Sequence, residues 1–184
     1  LNKLIQEENN MSWMQKDVQT SAQMEIAWQC APVLTGVKPS NILTLKNVSE
    51  KEVAESLKEM GISYSMLCDS GVRKVWLIYR EEEILEILGK KEYSEFLDTL
   101  GYREFEFPQM LQIMNLRFEG YQHGSAEFPH ELGIFLGYPL ADVKGFIEHN
   151  GKDFLYQGYW KVYENVEERK KMFSIYNVVK EEFI

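Results

Sequence analysis

A strand pair followed by a long helical block is the pattern that most constrains the fold of this chain. The runs Ile62–Cys68 and Lys74–Tyr79 are rich in apolar and aromatic residues, and a turn signal at Asp69–Gly71 joins them. They therefore predict an antiparallel hairpin. Helical apolar spacing then dominates up to Phe118. Because strands and helices come in blocks, the sequence predicts an α+β (mixed α/β) fold with a small mixed or antiparallel sheet of about three to five strands.

The other elements follow from apolar periodicity and from turn residues. Pro32 is expected to break the first helix, and Val33–Asn41 to form a loop. Ser49 and Glu52 have the spacing of a capping box, and Gly61 fits the end of the helix that they open. The predicted helices cover 11–30, 50–60, 81–88, 91–100, 108–118 and 166–182, and the further strands cover 42–45 and 154–163.

Length and composition are those of one globular domain. The chain has 184 residues, of which 45% are hydrophobic and 27% are charged. A chain of this length buries roughly 70% of its unfolded surface, so its core needs no disulfide or metal. The two cysteines, Cys30 and Cys68, do not make a disulfide framework. We expect a single domain over 1–184, with 1–10 as a flexible N-terminal tail.

The charge balance bears on the partners that the chain can have. Its net charge is −9, and its densest basic run, Arg169–Lys171, follows several glutamates. Nucleic acid and anionic membranes are therefore unfavourable partners. The sequence shows no GxGxxG motif or phosphate-binding loop, no apolar run near the ~20 residues of a membrane span, and no signal-peptide pattern at its start. The expected location is the cytoplasm.

A short helix start in the segment Glu127–Tyr163 carries the first candidate catalytic groups. Pro129 suits the first position of a helix, and His130 and Glu131 would then lie in its first turn. The helix dipole stabilises a carboxylate there and favours a neutral imidazole. A neutral imidazole can act as a base or a metal ligand, although a histidine at a helix start is more often a structural partner.

The same segment resembles a helix-turn-helix. Gly137 fits a left-handed helix end and Pro139 can open the next helix. Gly133 and Gly145 each sit inside a predicted helix, where glycine costs about 1 kcal/mol relative to alanine. We therefore expect a close approach there, by another helix in the favoured interpretation or else by a ligand. The second helix would expose Asp142 rather than the donors that read a major groove, which disfavours DNA binding.

The last strand-like run offers a candidate ligand-binding face. Because side chains alternate along a strand, Tyr159, Lys161 and Tyr163 would share one face, while Trp160 and Val162 would point into the core. A tyrosine–lysine–tyrosine face could bind an anion or an aromatic ligand. It could equally be an exposed sheet edge guarded by a charge.

A family resemblance covers most of the chain. The segment FPHELGIFLGYPLADVKGFIEHNGKDFLYQGYWKVY, residues 128–163, resembles the hallmark of a bacterial domain-of-unknown-function family, found mostly in anaerobic Gram-positive bacteria. The segment CAPVLTGVKPSNIL, Cys30–Leu43, resembles a second block of that family. The resemblance implies no activity. Members often have histidine where this chain has Gln29, and some have cysteine where it has Gln157. Both departures weaken the case for an essential imidazole or thiol at those places.

Three functions remain open on the sequence. The first is a small-molecule-binding or sensing domain, with ligand-binding residues Lys38, Asn41, Tyr159, Lys161 and Tyr163. The second is a thiol- and histidine-dependent enzyme with Cys30 as nucleophile, His130 as base and Glu131 as its orienter. The third is a helix-turn-helix-like interaction or DNA-binding module. No metal site is predicted, because His123 and His130 lack a compact ligand spacing. Cofactor and oligomeric state stay undetermined.

Overall fold

Two small antiparallel sheets and eight helices form the part of the chain that the computed structural model describes, residues 22–58 and 60–182. The predicted tail 1–10 and the first half of the helix predicted over 11–30 lie outside those residues. The helices are α1 (22–34), α2 (Glu50–Leu57), α3 (Glu81–Leu88), α4 (Lys91–Thr99), α5 (Phe107–Gln122), α6 (Leu132–Phe135), α7 (Leu140–Glu148) and α8 (Val166–Glu182). The strands are β1 (Ser40–Lys46), β2 (Ser63–Asp69), β3 (Arg73–Tyr79), β4 (Tyr156–Gln157) and β5 (Lys161–Val162). The α+β prediction is confirmed.

The larger sheet has the antiparallel order β1-β3-β2, which confirms the predicted hairpin. Its central strand β3 is buried on both faces. Val75 and Leu77 pack with the helices α3 to α7, whereas Trp76 and Ile78 pack with α1 and α2. This alternation follows from the two-residue period of a strand. The sheet therefore separates two apolar clusters, and the helical block covers one side of it.

Specific polar contacts fix the helices to this sheet. The capping box of Ser49 and Glu52 opens α2 as predicted. Asn115 of α5 donates a side-chain hydrogen bond of 2.9 Å to the Ser65 hydroxyl of β2. The fully buried Ser40 hydroxyl donates to the backbone carbonyl of Phe135, so β1 holds α6 directly against the sheet.

The third apolar cluster joins the C-terminal hairpin to α8. Strands β4 and β5 pair antiparallel, with Gln157 opposite Lys161. Trp160 and Val162 are buried against Phe173 and Tyr176 of α8, which confirms the predicted inward side of this run. Every helix in the described residues falls short of the length and apolarity that crossing a bilayer requires.

The helix end at Pro32 and the strand at 154–163 differ from their predictions. Helix α1 continues past Pro32 to residue 34, because a proline in the last turn removes few helical hydrogen bonds. The Pro32 carbonyl accepts hydrogen bonds from the backbone amides of Val37 and Lys38, which follow the helix. The run 154–163 is a hairpin rather than one strand, since it reverses at Gly158. A Cβ on Gly158 would lie 2.3 Å from the Phe173 ring, so the glycine lets α8 approach the hairpin.

Candidate functional site

A cavity of about 300 Å³ lies between α6, α7 and the β4–β5 hairpin. Three polar side chains, Asp142, Gln157 and Lys161, interrupt a wall that is otherwise apolar and largely aromatic. The rings of that wall belong to Phe128, His130, Tyr138, Phe146, Tyr159 and Trp160. A concave apolar space with a few convergent polar groups is the usual form of a small-molecule site.

Two glycines allow the helices around the cavity to pack closely. A Cβ on Gly133 would lie 2.9 Å from a methyl carbon of Val143, so α6 and α7 meet at this position as predicted. Gly137 adopts the left-handed conformation, with φ of 74°, that ends α6. Gly145 is also covered, but by the ring of Tyr163 at 2.5 Å rather than by another helix.

Asp142 is the residue that sequence reasoning placed wrongly. It was expected on an exposed helix face, yet it is only 2% exposed. Its Oδ2 accepts a 2.7 Å hydrogen bond from the Trp160 indole, and its Oδ1 accepts the backbone N–H groups of Tyr163 at 2.7 Å and Glu164 at 3.2 Å. Arg169 Nε lies 3.7 Å away. Both carboxylate oxygens therefore accept hydrogen bonds from within the protein, and the hairpin covers this face of α7.

The Trp160 indole forms a fixed part of the cavity wall. It stacks on Tyr138 with ring centroids 4.5 Å apart, and it meets Phe173 edge to face at 4.6 Å. Such aromatic pairs contribute roughly 0.5–1.5 kcal/mol beyond the area they bury. Together with the bond to Asp142, these contacts leave the indole one orientation.

His130 lies in the cavity wall, but in the turn before a helix. Helix α6 contains only Leu132–Phe135, and the His130 carbonyl accepts the Gly133 amide in the turn that precedes it. The predicted helix opening at Pro129 is therefore wrong, and a four-residue helix has little dipole to act on the imidazole. The His130 ring sits between Phe128 and Phe146, with centroids 5.6 Å and 5.4 Å away.

The Glu131 carboxylate forms its hydrogen bonds with Arg117 and Tyr102. The carboxylate is 4% exposed and accepts hydrogen bonds from Arg117 at 2.5 Å and from the Tyr102 hydroxyl at 3.1 Å. Burial, followed by the charge of Glu131, raises the pKa of Tyr102. Among the described residues the side-chain partners of Glu131 are thus a guanidinium and a phenol, which gives it a structural role in joining α5 to α6 rather than the orienting role that the sequence suggested.

The predicted tyrosine–lysine–tyrosine face does not form. Strand β5 has only two residues, so Tyr159 and Tyr163 lie outside it and contact different parts of the protein. Tyr159 donates to the Asn177 side chain at 2.9 Å, while Tyr163 donates to the Lys152 carbonyl at 3.0 Å. Tyr159 and Lys161 line the cavity, whereas Tyr163 does not.

Lys161 places a positive charge at one side of the cavity. Its Nζ donates a 2.6 Å hydrogen bond to the Gly151 carbonyl and lies 4.9 Å from the centroid of Phe154 and 5.7 Å from that of Phe146. A primary ammonium has three donors. The bond to Gly151 therefore leaves donors that a ligand in the cavity can use.

Three other predicted residues, Cys30, Lys38 and Asn41, form a second cluster between α1 and β1. Lys38 is only 3% exposed, and its Nζ lies 2.8 Å from Asn41 Oδ1 and 5.7 Å from the ring centroid of Tyr138. Burial, and then the nearby Lys180 ammonium, lowers the pKa of Lys38 to about 8. Asn41 is held in turn by donating to the Gln29 carbonyl at 2.7 Å.

Cys30 is a protonated thiol in this cluster. It is fully buried, and burial raises its pKa to about 12, although Lys38 and Asn41 oppose that rise. The thiolate is the nucleophilic form of cysteine. Its polar neighbours are Lys38 and Asn41, and it packs in the apolar cluster of α1 and α2, whereas His130 lines the cavity. The described residues contain no group of three or more His, Cys, Asp or Glu side chains that could hold a metal ion.

These features define an α+β protein with an aromatic cavity beside a buried lysine cluster. Residues 26–184 match the family model described as "Protein of unknown function (DUF3793)", and the chain belongs to that family. Comparison with curated proteins and with solved structures gave no match.

Proposed function

We propose that this protein is a small-molecule-binding or sensing domain whose ligand is a small aromatic acid held in the cavity between α6, α7 and the β4–β5 hairpin. The observation that carries the proposal is the cavity itself, with its aromatic wall and its few polar groups. Ligand sites of proteins have this character, and a volume of about 300 Å³ is at the low end of their range. The volume suits a single or fused ring.

The charges around the cavity favour a negative group on the ligand. Within the described residues Lys161 donates one hydrogen bond, to the Gly151 carbonyl, whereas Asp142, the only carboxylate of the described lining, already accepts three. A ligand carboxylate would therefore meet a cation without a competing free anion. The rings of Phe146 and Tyr159 offer flat surfaces for the aromatic part of the ligand.

The enzyme alternative has less support. A nucleophilic cysteine needs a thiolate and a base within reach. Cys30 is buried with a pKa of about 12 and has Lys38 and Asn41 as its polar neighbours. The interaction-module alternative is also weaker, because the helix that would enter a groove, α7, uses Asp142 and Gly145 to pack under the hairpin.

Amide NMR with matched ligands tests the proposal. The probes are benzoate and indole-3-carboxylate, each with its neutral carboxamide. We expect saturable shifts of the Gly133 and Gly158 amides, which border the cavity, and tighter binding of the acids than of the carboxamides. If no probe moves these amides at millimolar concentration, the proposed ligand class is wrong.

Two variants separate the ring contact from the charge contact. Phe146→Ala should weaken binding of acids and carboxamides alike, because both lose the same ring. Lys161→Gln should weaken only the acids, by about tenfold for one charge-assisted hydrogen bond. The matched control is Phe105→Ala, which removes a ring that is 42% exposed and outside the cavity lining. Binding that Phe146→Ala and Lys161→Gln leave unchanged would place the ligand elsewhere.

We further infer that the protein is bacterial and cytoplasmic, and that 128–163 is the hallmark of its family. The resemblance of that segment and the net charge of −9 support this inference. Detection of the native protein in the membrane or secreted fraction of its host would contradict the location.

A further inference from the structure

The Lys38 ammonium occupies an unfavourable place for a cation. It is 3% exposed, and its hydrogen-bond acceptor among the described residues is the neutral Asn41 side chain at 2.8 Å. Within that part of the chain no carboxylate lies at ion-pair distance from it. A buried charge without a counter-ion costs several kcal/mol, which proteins usually relieve by neutralising the group.

The groups around Lys38 are neutral or positive. Cys30 is a protonated thiol, Tyr138 presents its ring, and Lys180 of α8 adds a second cation. The Tyr138 phenol is also protonated, since burial raises its pKa to about 12. Burial and Lys180 together lower the pKa of Lys38 to about 8, so its neutral, nucleophilic amine is far more populated than that of an exposed lysine.

We propose that Lys38 is a site of reversible carbamylation by carbon dioxide. The ammonium first releases one proton. The amine lone pair then bonds to the carbon of CO₂, one C–O π pair moves onto oxygen, and the nitrogen releases a second proton. The neutral amine and CO₂ thus give a carbamate anion and one proton, and no oxidant or reductant takes part.

The sign of the charge identifies carbon dioxide as the electrophile. Carbamylation converts a cation into an anion, so the repulsion between Lys38 and Lys180 becomes an attraction. An imine formed with an aldehyde or ketone would remain a cation when protonated, and the repulsion would persist. Size points the same way, because an amine that is 3% exposed admits a three-atom reagent more readily than a larger carbonyl compound. Carbamylation of Lys38 needs no ligand in the cavity, so this proposal does not depend on the proposed function.

Trapping and mass spectrometry test the modification on the full chain. The protein is equilibrated with ¹³C-bicarbonate at pH 8, treated with a trialkyloxonium salt that esterifies carbamates, and digested. We expect labelled ester on Lys38 at higher occupancy than on Lys51 and Lys91, whose side chains are 84% and 85% exposed. Absence of label on Lys38, or occupancy no higher than on these two lysines, would overturn the proposal.

Variants at Lys180 test the electrostatic reason without altering Lys38. Lys180→Gln should lower the occupancy of Lys38 several-fold, because it raises the population of the Lys38 ammonium and removes the cation that stabilises the carbamate. Lys180→Arg keeps the charge and should retain most of the label. Equal labelling of Lys38 in the wild type and in Lys180→Gln would contradict the role given to Lys180.

Discussion

The Asp142 carboxylate accepts a 2.7 Å hydrogen bond from the indole nitrogen of Trp160. This bond joins α7 to the β4–β5 hairpin and fixes the indole that forms one wall of the cavity. The same carboxylate accepts two backbone amides after β5. A single buried acid therefore sets the position of the hairpin, of the cavity wall and of the chain that leads into α8.

Asp142→Asn should destabilise the fold. The amide of asparagine has one acceptor oxygen, so either the indole or the two backbone amides lose their partner, and Arg169 loses its nearby anion. We expect a loss of about 2–3 kcal/mol in the free energy of unfolding, measured by urea denaturation. Glu148→Gln, on the exposed side of the same helix, should change stability by less than about 0.5 kcal/mol. Equal effects of the two changes would show that the Asp142 contacts contribute little.

Lys38→Met should stabilise the protein at pH 7 in CO₂-free buffer. The fall of the Lys38 pKa from 10.5 to about 8 corresponds to a penalty of roughly 3 kcal/mol. Loss of the hydrogen bond to Asn41 offsets about 1–2 kcal/mol of the gain. A net gain of about 1–2 kcal/mol should therefore appear in thermal or urea unfolding.

The advantage of Lys38→Met should shrink as the pH rises. Below about pH 8 the lysine is protonated in both states and the folded state bears the full penalty. Between about pH 8 and 10.5 the folded lysine is neutral while the unfolded one still binds a proton, so the wild type gains stability relative to the variant. Lys91→Met, at an exposed position, should show no such dependence. A pH-independent difference between wild type and Lys38→Met would contradict the low pKa.

Gly158→Ala should disturb the contact between the hairpin and α8. The new methyl group would lie 2.3 Å from the Phe173 ring, so the ring or the helix must move, at a cost of about 1–3 kcal/mol. Adding Phe173→Leu should recover part of that loss in a double-mutant cycle, because the smaller side chain makes room. Strictly additive effects of the two changes would mean that the ring is not the obstacle.

Cys30 should resist alkylation in the folded protein. Its thiol is fully buried and its pKa is about 12, so both access and thiolate are lacking. Iodoacetamide at pH 8 should label Cys30 only after denaturation, as peptide mass mapping would show. Rapid labelling of Cys30 in the native protein would revive the thiol-enzyme hypothesis.

Local signals predicted most of the fold. The hairpin β2–β3 and the helices α3, α4 and α8 match their predicted bounds closely, because turn residues, caps and apolar periodicity act within a few neighbours along the chain. The wrong predictions at Pro32 and Pro129 concern the exact ends of helices, whereas the wrong prediction at 154–163 concerns a place where a contact distant in sequence decides the conformation. The close approach of Phe173 to Gly158 is such a contact.

The cavity and its supports were harder to predict. Glu131 pairs with Arg117 and Tyr102, which are 14 and 29 residues away in the sequence. Local sequence patterns do not predict partners at such separations. Charged residues are rarely buried, so an acid near a helix start, such as Asp142, is naturally placed in solvent. Sequence reasoning named Cys30 as a nucleophile and Lys38 and Asn41 as ligand-binding residues, but the cluster that they form and the burial of the lysine follow only from the packing of α1 and β1.

Tyr138 belongs to both regions, since its ring lines the cavity and lies 5.7 Å from the Lys38 ammonium. Where binding at one site changes the affinity of another, the coupling free energy is reciprocal. A cavity ligand that binds more tightly to one charge state of Lys38 must shift the proton affinity of Lys38 by the same free energy. Proton uptake or release on ligand addition, recorded in two buffers of different ionisation enthalpy, is therefore a direct measure of the communication between them.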